Sequence, residues 1–206
     1  MSDPQSEYTA KELFAPSEPV TSTRDRIIVE ALELFYEQGF HAVGLDMVIQ
    51  RVGVTKTTFY NHFESKDDLI VAAIHMRDRW EEKAFQDEVA SLSDGTPRGS
   101  ILASFDALDR WFSHDEYRGC MFINACAEYP HLHDPIHEAA ASHIGTSRDE
   151  LVTLCTQLGA DDPGSLATQL QLLLQGALTM RLVSGDDSTA RVARAAAERL
   201  LDSISS

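Results

Sequence analysis

GLDMVIQRVGVTKTTFYNHFESKDDLIVAAI, residues 44–74, decides the fold. Leu45 to Val52 reads as a short helix that turns Val48, Ile49 and Val52 inward. Gly53 supplies a tight turn. A second short helix opens at Thr55 and runs to about His62, anchored by Phe59 and Phe63. Ser65 then caps a longer helix, because S-K-D-D places an acid close to the capping-box position. Two short helices joined by a glycine turn form the pattern of a helix-turn-helix. Its second helix must be apolar on one side and carry short polar groups on the other to enter a major groove. That polar side offers Thr55, Lys56, Thr57, Thr58, Asn61 and His62, which can donate to phosphates or base edges. Short helix pairs also occur in ordinary all-α cores, so the pattern alone leaves both readings open.

Charge bears on the choice. The chain has 206 residues, with 17 Lys+Arg against 33 Asp+Glu, a net charge of −16. A uniformly basic nucleic-acid coat is excluded, and any DNA contact must come from a local patch. Residues 45–66 are that patch: Arg51, Lys56 and Lys66 outweigh Asp46 and Glu64. The acidity elsewhere should weaken nonspecific binding to a polyanion.

Outward from this stretch the pattern is helical throughout. Residues 1–20 are polar and aperiodic and read as a mobile arm. A first helix starts near Thr21–Thr23, buries Ile27, Ala31, Leu34 and Phe35, and ends at Gly39. The fourth helix runs from Ser65 towards Leu92, and the loop 93–99 separates it from a second helical set. Candidate helices there are 100–113, 119–129, 135–158, 164–184 and 188–204. The expected fold class is all-α, with about nine helices. It comprises an N-terminal three-helix helix-turn-helix DNA-binding domain (21–66) and a C-terminal helical ligand-binding and dimerisation domain (67–206).

Other classes are poorly supported. The motifs G-x-S-x-G, G-x-x-x-x-G-K-[ST] and H-E-x-x-H are absent, so no enzyme activity is expected. No apolar run approaches the roughly 18 residues of a membrane span. The N-terminal stretch lacks the layout of a signal peptide. Three cysteines (Cys120, Cys126 and Cys155) without C-x-x-C spacing fit a reducing cytoplasm. His131, His133, His137 and His143 cluster in sequence, but Asp134-Pro135 reads as a helix start that places His133 before the helix. No metal and no cofactor are expected.

The combination of A-x-x-L-F-x-x-x-G-F (Ala31 to Phe40), G-V-T-K, T-F-Y-N-H-F and S-K-D-D-L resembles the signature of the TetR family of transcriptional regulators. The resemblance implies that Lys56, Thr57 and Thr58 lie over base edges and sugar-phosphate. It also implies that Tyr60 and His62 contact the DNA backbone and that Lys66 contacts a phosphate. Asn61 joins them from the polar face. The chain carries Thr57 where many relatives have a small residue, and Gly44 where many have a capping Ser or Thr.

The second half holds the expected sensor. Trp80, Phe105, Trp111, Phe112, Met121 and Phe122 form an apolar and aromatic set that suits either a plain core or a ligand cavity. Asn124 and Glu128, four apart on one helix face, are the polar candidates for fixing a ligand, with capping or core hydrogen bonding as the other reading. The resemblance implies a small, lipophilic effector. Leu166, Leu170, Leu173, Leu174, Ala177 and Leu178 form one wide stripe, and Val192, Ala196 and Leu200 form another. Both suit a four-helix homodimer interface or a fully buried helix. The resulting reading is a cytoplasmic, ligand-responsive regulator, most simply a repressor, that binds palindromic double-stranded operator DNA as a homodimer. The competing reading is a helical interaction protein whose helix-turn-helix does not bind DNA.

Overall fold

A computed structural model describes residues 20–113 and 117–204. Apart from Val20, the expected arm lies outside the described residues. Among the described residues the structure is all-helical, with nine helices and no strand. These are α1 (Thr23–Gln38), α2 (Leu45–Val52), α3 (Lys56–Tyr60), α4 (Lys66–Leu92) and α5 (Pro97–Phe112), followed by α6 (Met121–Glu128), α7 (Pro135–Gln157), α8 (Pro163–Ser184) and α9 (Thr189–Asp202).

Local chemistry sets the boundaries. Ser22 Oγ accepts from the Asp25 N–H at 3.0 Å and starts α1. Gly53, at φ 74°, closes α2 in the left-handed conformation with its N–H on the Ile49 carbonyl. Ser65 Oγ accepts from the Asp68 N–H, while the Asp68 carboxylate accepts from the Glu64 N–H. This is nearly the reciprocal box the sequence suggests, shifted by one residue. Helix α5 begins at Pro97, three residues before the expected start. Thr96 Oγ accepts from the Gly99 N–H, and proline suits the first helical position. Helix α6 begins at Met121 rather than residue 119, where Gly119 sits at φ 86°.

The chain divides into two compact units. One comprises described residues 20–81 and 120–143. Here α1 packs on α2, and Ile27, Ile28, Phe35, Phe40, Phe59, Phe63, Leu69 and Ile70 form the core. The grouping extends past the sequence-derived boundary at residue 66, taking in the first part of α4, all of α6 and the start of α7.

The other unit comprises described residues 82–113, 117–119 and 144–204. Helix α9 packs on α8 and on α5. Ile101, Phe105, Phe112, Ala167, Leu170 and Ala197 are buried there. Tyr117 Oη donates to the Leu178 carbonyl at 2.6 Å, and the Arg181 guanidinium donates to the Phe112 carbonyl. Arg191–Asp109 at 2.6 Å and Arg194–Asp106 at 2.8 Å link α9 to α5. No helix among the described residues is long and apolar enough to cross a membrane.

Candidate nucleic-acid interface

Helix α3 is two-sided. Phe59 is fully buried and Phe63 is 2 % exposed, so one side of α3 and its exit turn is fixed in the core. Thr55 caps the helix by accepting from the Thr58 N–H at 3.1 Å. Its hydroxyl also lies 2.9 Å from Thr58 Oγ1, which commits half-buried Thr58 to the cap. Lys56, Thr57, Tyr60, Asn61 and His62 are exposed together on the other side. Tyr60 is 56 % exposed, and its ring stands edge-on to Phe59 at 5.4 Å.

The cations of the stretch each have a partner. Lys56 Nζ lies 2.7 Å from Asp46, and this contact holds the ammonium above its usual pKa. Arg51 bridges Glu30 and Glu33 of α1, both at 3.0 Å. Lys66 Nζ donates to the Phe40 carbonyl at 2.6 Å, so the expected phosphate ligand is half-buried against the turn after α1. Arg24 adds a cation the sequence reading did not weigh. Its guanidinium lies over the Phe63 ring at 4.9 Å, beside the exit of α3. The preference of Arg for aromatic faces was the available signal, but Phe63 lies far off in sequence.

The expected sensor residues divide between the units. In the first, Met121 and Phe122 are buried, while Trp80, Asn124 and Glu128 are half-buried. Phe122 stacks on the His143 ring at 3.6 Å, and His143 Nδ1 lies 2.6 Å from Asp78 Oδ1. The Glu128 carboxylate accepts from the Phe40 and His41 N–H groups, at 2.9 and 2.7 Å. In the second unit, Phe105, Trp111 and Phe112 are buried. There, Trp111 and Phe112 meet Tyr117 edge-on at 5.2 and 5.1 Å.

Of the residues expected at a dimer interface, Leu166, Leu170, Ala177 and Leu178 are buried by their own chain. Leu173, Leu174, Ala196 and Leu200 are half-buried, and Val192 is exposed. Helix α8 is apolar on both sides, so its outer face carries Leu172, Met180, Leu182 and Val183 instead. Leu172, Gly176, Met180 and Val183 follow one another at helical spacing.

Cys120, Cys126 and Cys155 are reduced. Burial pushes all three thiols up, Cys120 to about 12, which opposes the thiolate a redox sensor needs. No three His, Cys, Asp or Glu side chains gather as a metal-binding set among the described residues.

Two family models match the chain. Residues 27–73 match "Bacterial regulatory proteins, tetR family", and residues 96–197 match "Tetracyclin repressor-like, C-terminal domain". The HTH-type transcriptional regulator YjdC of Escherichia coli (strain K12) is 30% identical over 182 residues, covering 86% of this chain and 93% of the relative. The structure is similar to a TetR-family transcriptional regulator from Streptomyces coelicolor, with TM-score 0.79, 29% identity and coverage of 89% and 96% of the two chains. The HTH-type transcriptional repressor NemR of Escherichia coli is 26% identical over 121 residues, covering 57% of this chain and 59% of that protein. Its reduced form shares the fold at TM-score 0.76 and 21% identity, over 87% and 97% of the two chains. The chain belongs to the TetR family of helix-turn-helix transcriptional regulators and is not an enzyme.

Proposed function

We propose that this regulator represses transcription by binding a palindromic operator as a homodimer and is released by a small, lipophilic effector. The observation that carries the reading is the two-sided α3. Phe59 anchors it, while Lys56, Thr57, Tyr60, Asn61 and His62 project from the exposed side. Lys56, Thr57 and Asn61 would address base edges and adjacent sugar-phosphate, whereas Thr58, expected among them, is held in the cap of α3. Tyr60, His62, Lys66 and Arg24 would hold the backbone.

A two-fold dimer would set two such helices in successive major grooves, which is why the operator is proposed to be palindromic. The exposed apolar face of α8 supports a second copy as its cover. A Cβ at Gly176 would meet nothing within 4 Å in this chain, leaving space for close approach. An effector held in the C-terminal region would favour a conformation in which the two reading heads no longer match the groove spacing. Repression is favoured because NemR, a relative matched over 59% of its length, is named as a repressor.

A gel-shift assay with the DNA upstream of the protein's own gene tests the reading. The wild type is expected to form a specific complex that Lys56→Ala and Tyr60→Ala weaken. Binding indistinguishable from that to unrelated DNA would reject it.

A further inference from the structure

The turn between α1 and α2 is held from two directions. Glu128 ends α6, and its Oε1 accepts from the Phe40 N–H at 2.9 Å while Oε2 accepts from the His41 N–H at 2.7 Å. The carbonyl of Phe40 in turn accepts from Lys66 Nζ at 2.6 Å. One peptide turn is thus gripped by a carboxylate on its donors and an ammonium on its acceptor. His41 Nε2 also lies 2.9 Å from the Glu128 carbonyl oxygen, which it reaches as the Nε2–H tautomer. The His41 ring packs against Tyr129 at 4.6 Å. Gly39 makes room for the carboxylate, since a Cβ there would stand 3.1 Å from Glu128 Oε1.

A carboxylate accepting two neighbouring backbone N–H groups makes charge-assisted bonds of fixed geometry. A surface acid free in solution would have no such anchor. The turn leads through Gly44 directly into α2, and the Gly53 turn then leads into α3. On the other side, Glu128 shares the eight-residue α6 with Met121, Phe122 and Asn124.

We infer that Glu128 is a positioning residue for the reading head: it locks the α1–α2 turn to the end of α6, so that α6 and the helix-turn-helix move together. This rests on the DNA-binding reading above and replaces a ligand contact as the role of Glu128. Because coupling is reciprocal, DNA held by α3 must also stabilise α6.

The test is amide hydrogen exchange on the full chain, alone and with the DNA fragment it binds, for wild type and Glu128→Gln. Glutamine keeps the size of the side chain but offers one acceptor, and its NH2 then faces an N–H donor. In the free variant, exchange at Phe40 and His41 should quicken by about tenfold, while residues 100–112 of α5 keep wild-type rates. Affinity for DNA should fall by about tenfold, within the usual range of coupling between sites. DNA should slow exchange across residues 121–128 in the wild type and not in the variant. Glu128→Ala, which leaves both N–H groups to water, should behave in the same way.

Wild-type exchange at residues 40 and 41 in Glu128→Gln would overturn the inference. So would quickened exchange with unchanged DNA affinity, or faster exchange spread evenly over the chain. Failure of the wild type to bind any DNA would remove the regulator reading instead. The exchange at residues 40 and 41 would still decide whether the lock exists.

Discussion

Lys56 Nζ stands 2.7 Å from Asp46 Oδ1, joining the first residue of α3 to the N-terminal turn of α2. Both side chains are exposed, at 65% and 78%. The pair is therefore weak and easily exchanged for a phosphate. On the proposed reading of DNA by α3, it also places a carboxylate beside the phosphates. Asp46→Asn should tighten specific binding by about threefold, by removing a repulsion and releasing Lys56. Fluorescence anisotropy with labelled DNA checks this. Weaker binding would instead show that Asp46 reads a base or orders the helix.

Gly39 occupies φ 86° and ψ 160°, a backbone region that is essentially glycine's alone. A side chain would also crowd Glu128 Oε1. Gly39→Ala should lower unfolding stability by about 1–3 kcal/mol in urea denaturation. Wild-type stability would mean that the turn relaxes without cost.

The two faces of α8 predict opposite outcomes. Leu172 is 68 % exposed and Val183 74 %, whereas Leu170 is fully buried. Leu172→Asp and Val183→Asp should shift the protein to monomer in sedimentation while keeping its helix content. Leu170→Ala should cost about 2–5 kcal/mol of stability and leave association largely intact. A monomeric wild type at micromolar concentration would contradict the proposed interface.

Asp94 provides a pH prediction. The Thr96 hydroxyl and N–H both donate to its carboxylate, at 2.6 and 2.9 Å, and hold it below its ordinary 3.8. A depressed carboxyl contributes stability above its unfolded pKa and loses it as the pH falls through the folded value. Asp94→Asn should therefore melt below the wild type at neutral pH, with the gap narrowing below about pH 4. A gap that widens on acidification would reverse the assignment.

Much of the fold is written in short-range chemistry. Thr55, Ser65 and Gly53 mark the helix-turn-helix because caps and left-handed turns depend on residues a few positions apart. The start of α5 was obscured because Thr96 and Pro97 sit inside a stretch that also reads as a loop. Helix α8 resists assignment for another reason. Apolar residues cover both its sides, and periodicity cannot tell which side its own chain buries. The role of Glu128 was hidden most deeply, because its partners Phe40 and His41 lie 88 and 87 residues away. Nothing in the spacing of Asn124 and Glu128 signals a backbone turn as the recipient of the carboxylate.

The central claim is that DNA is read by the exposed side of α3. Its most direct test is a salt titration of binding to the DNA upstream of the gene, comparing wild type with Lys56→Ala by fluorescence anisotropy. The account predicts a specific wild-type complex. It also predicts about tenfold loss on substitution and a log–log salt slope smaller by about 0.9 per protomer for the lost phosphate contact. Equal affinities and equal slopes, or no specific complex at low salt, would contradict it.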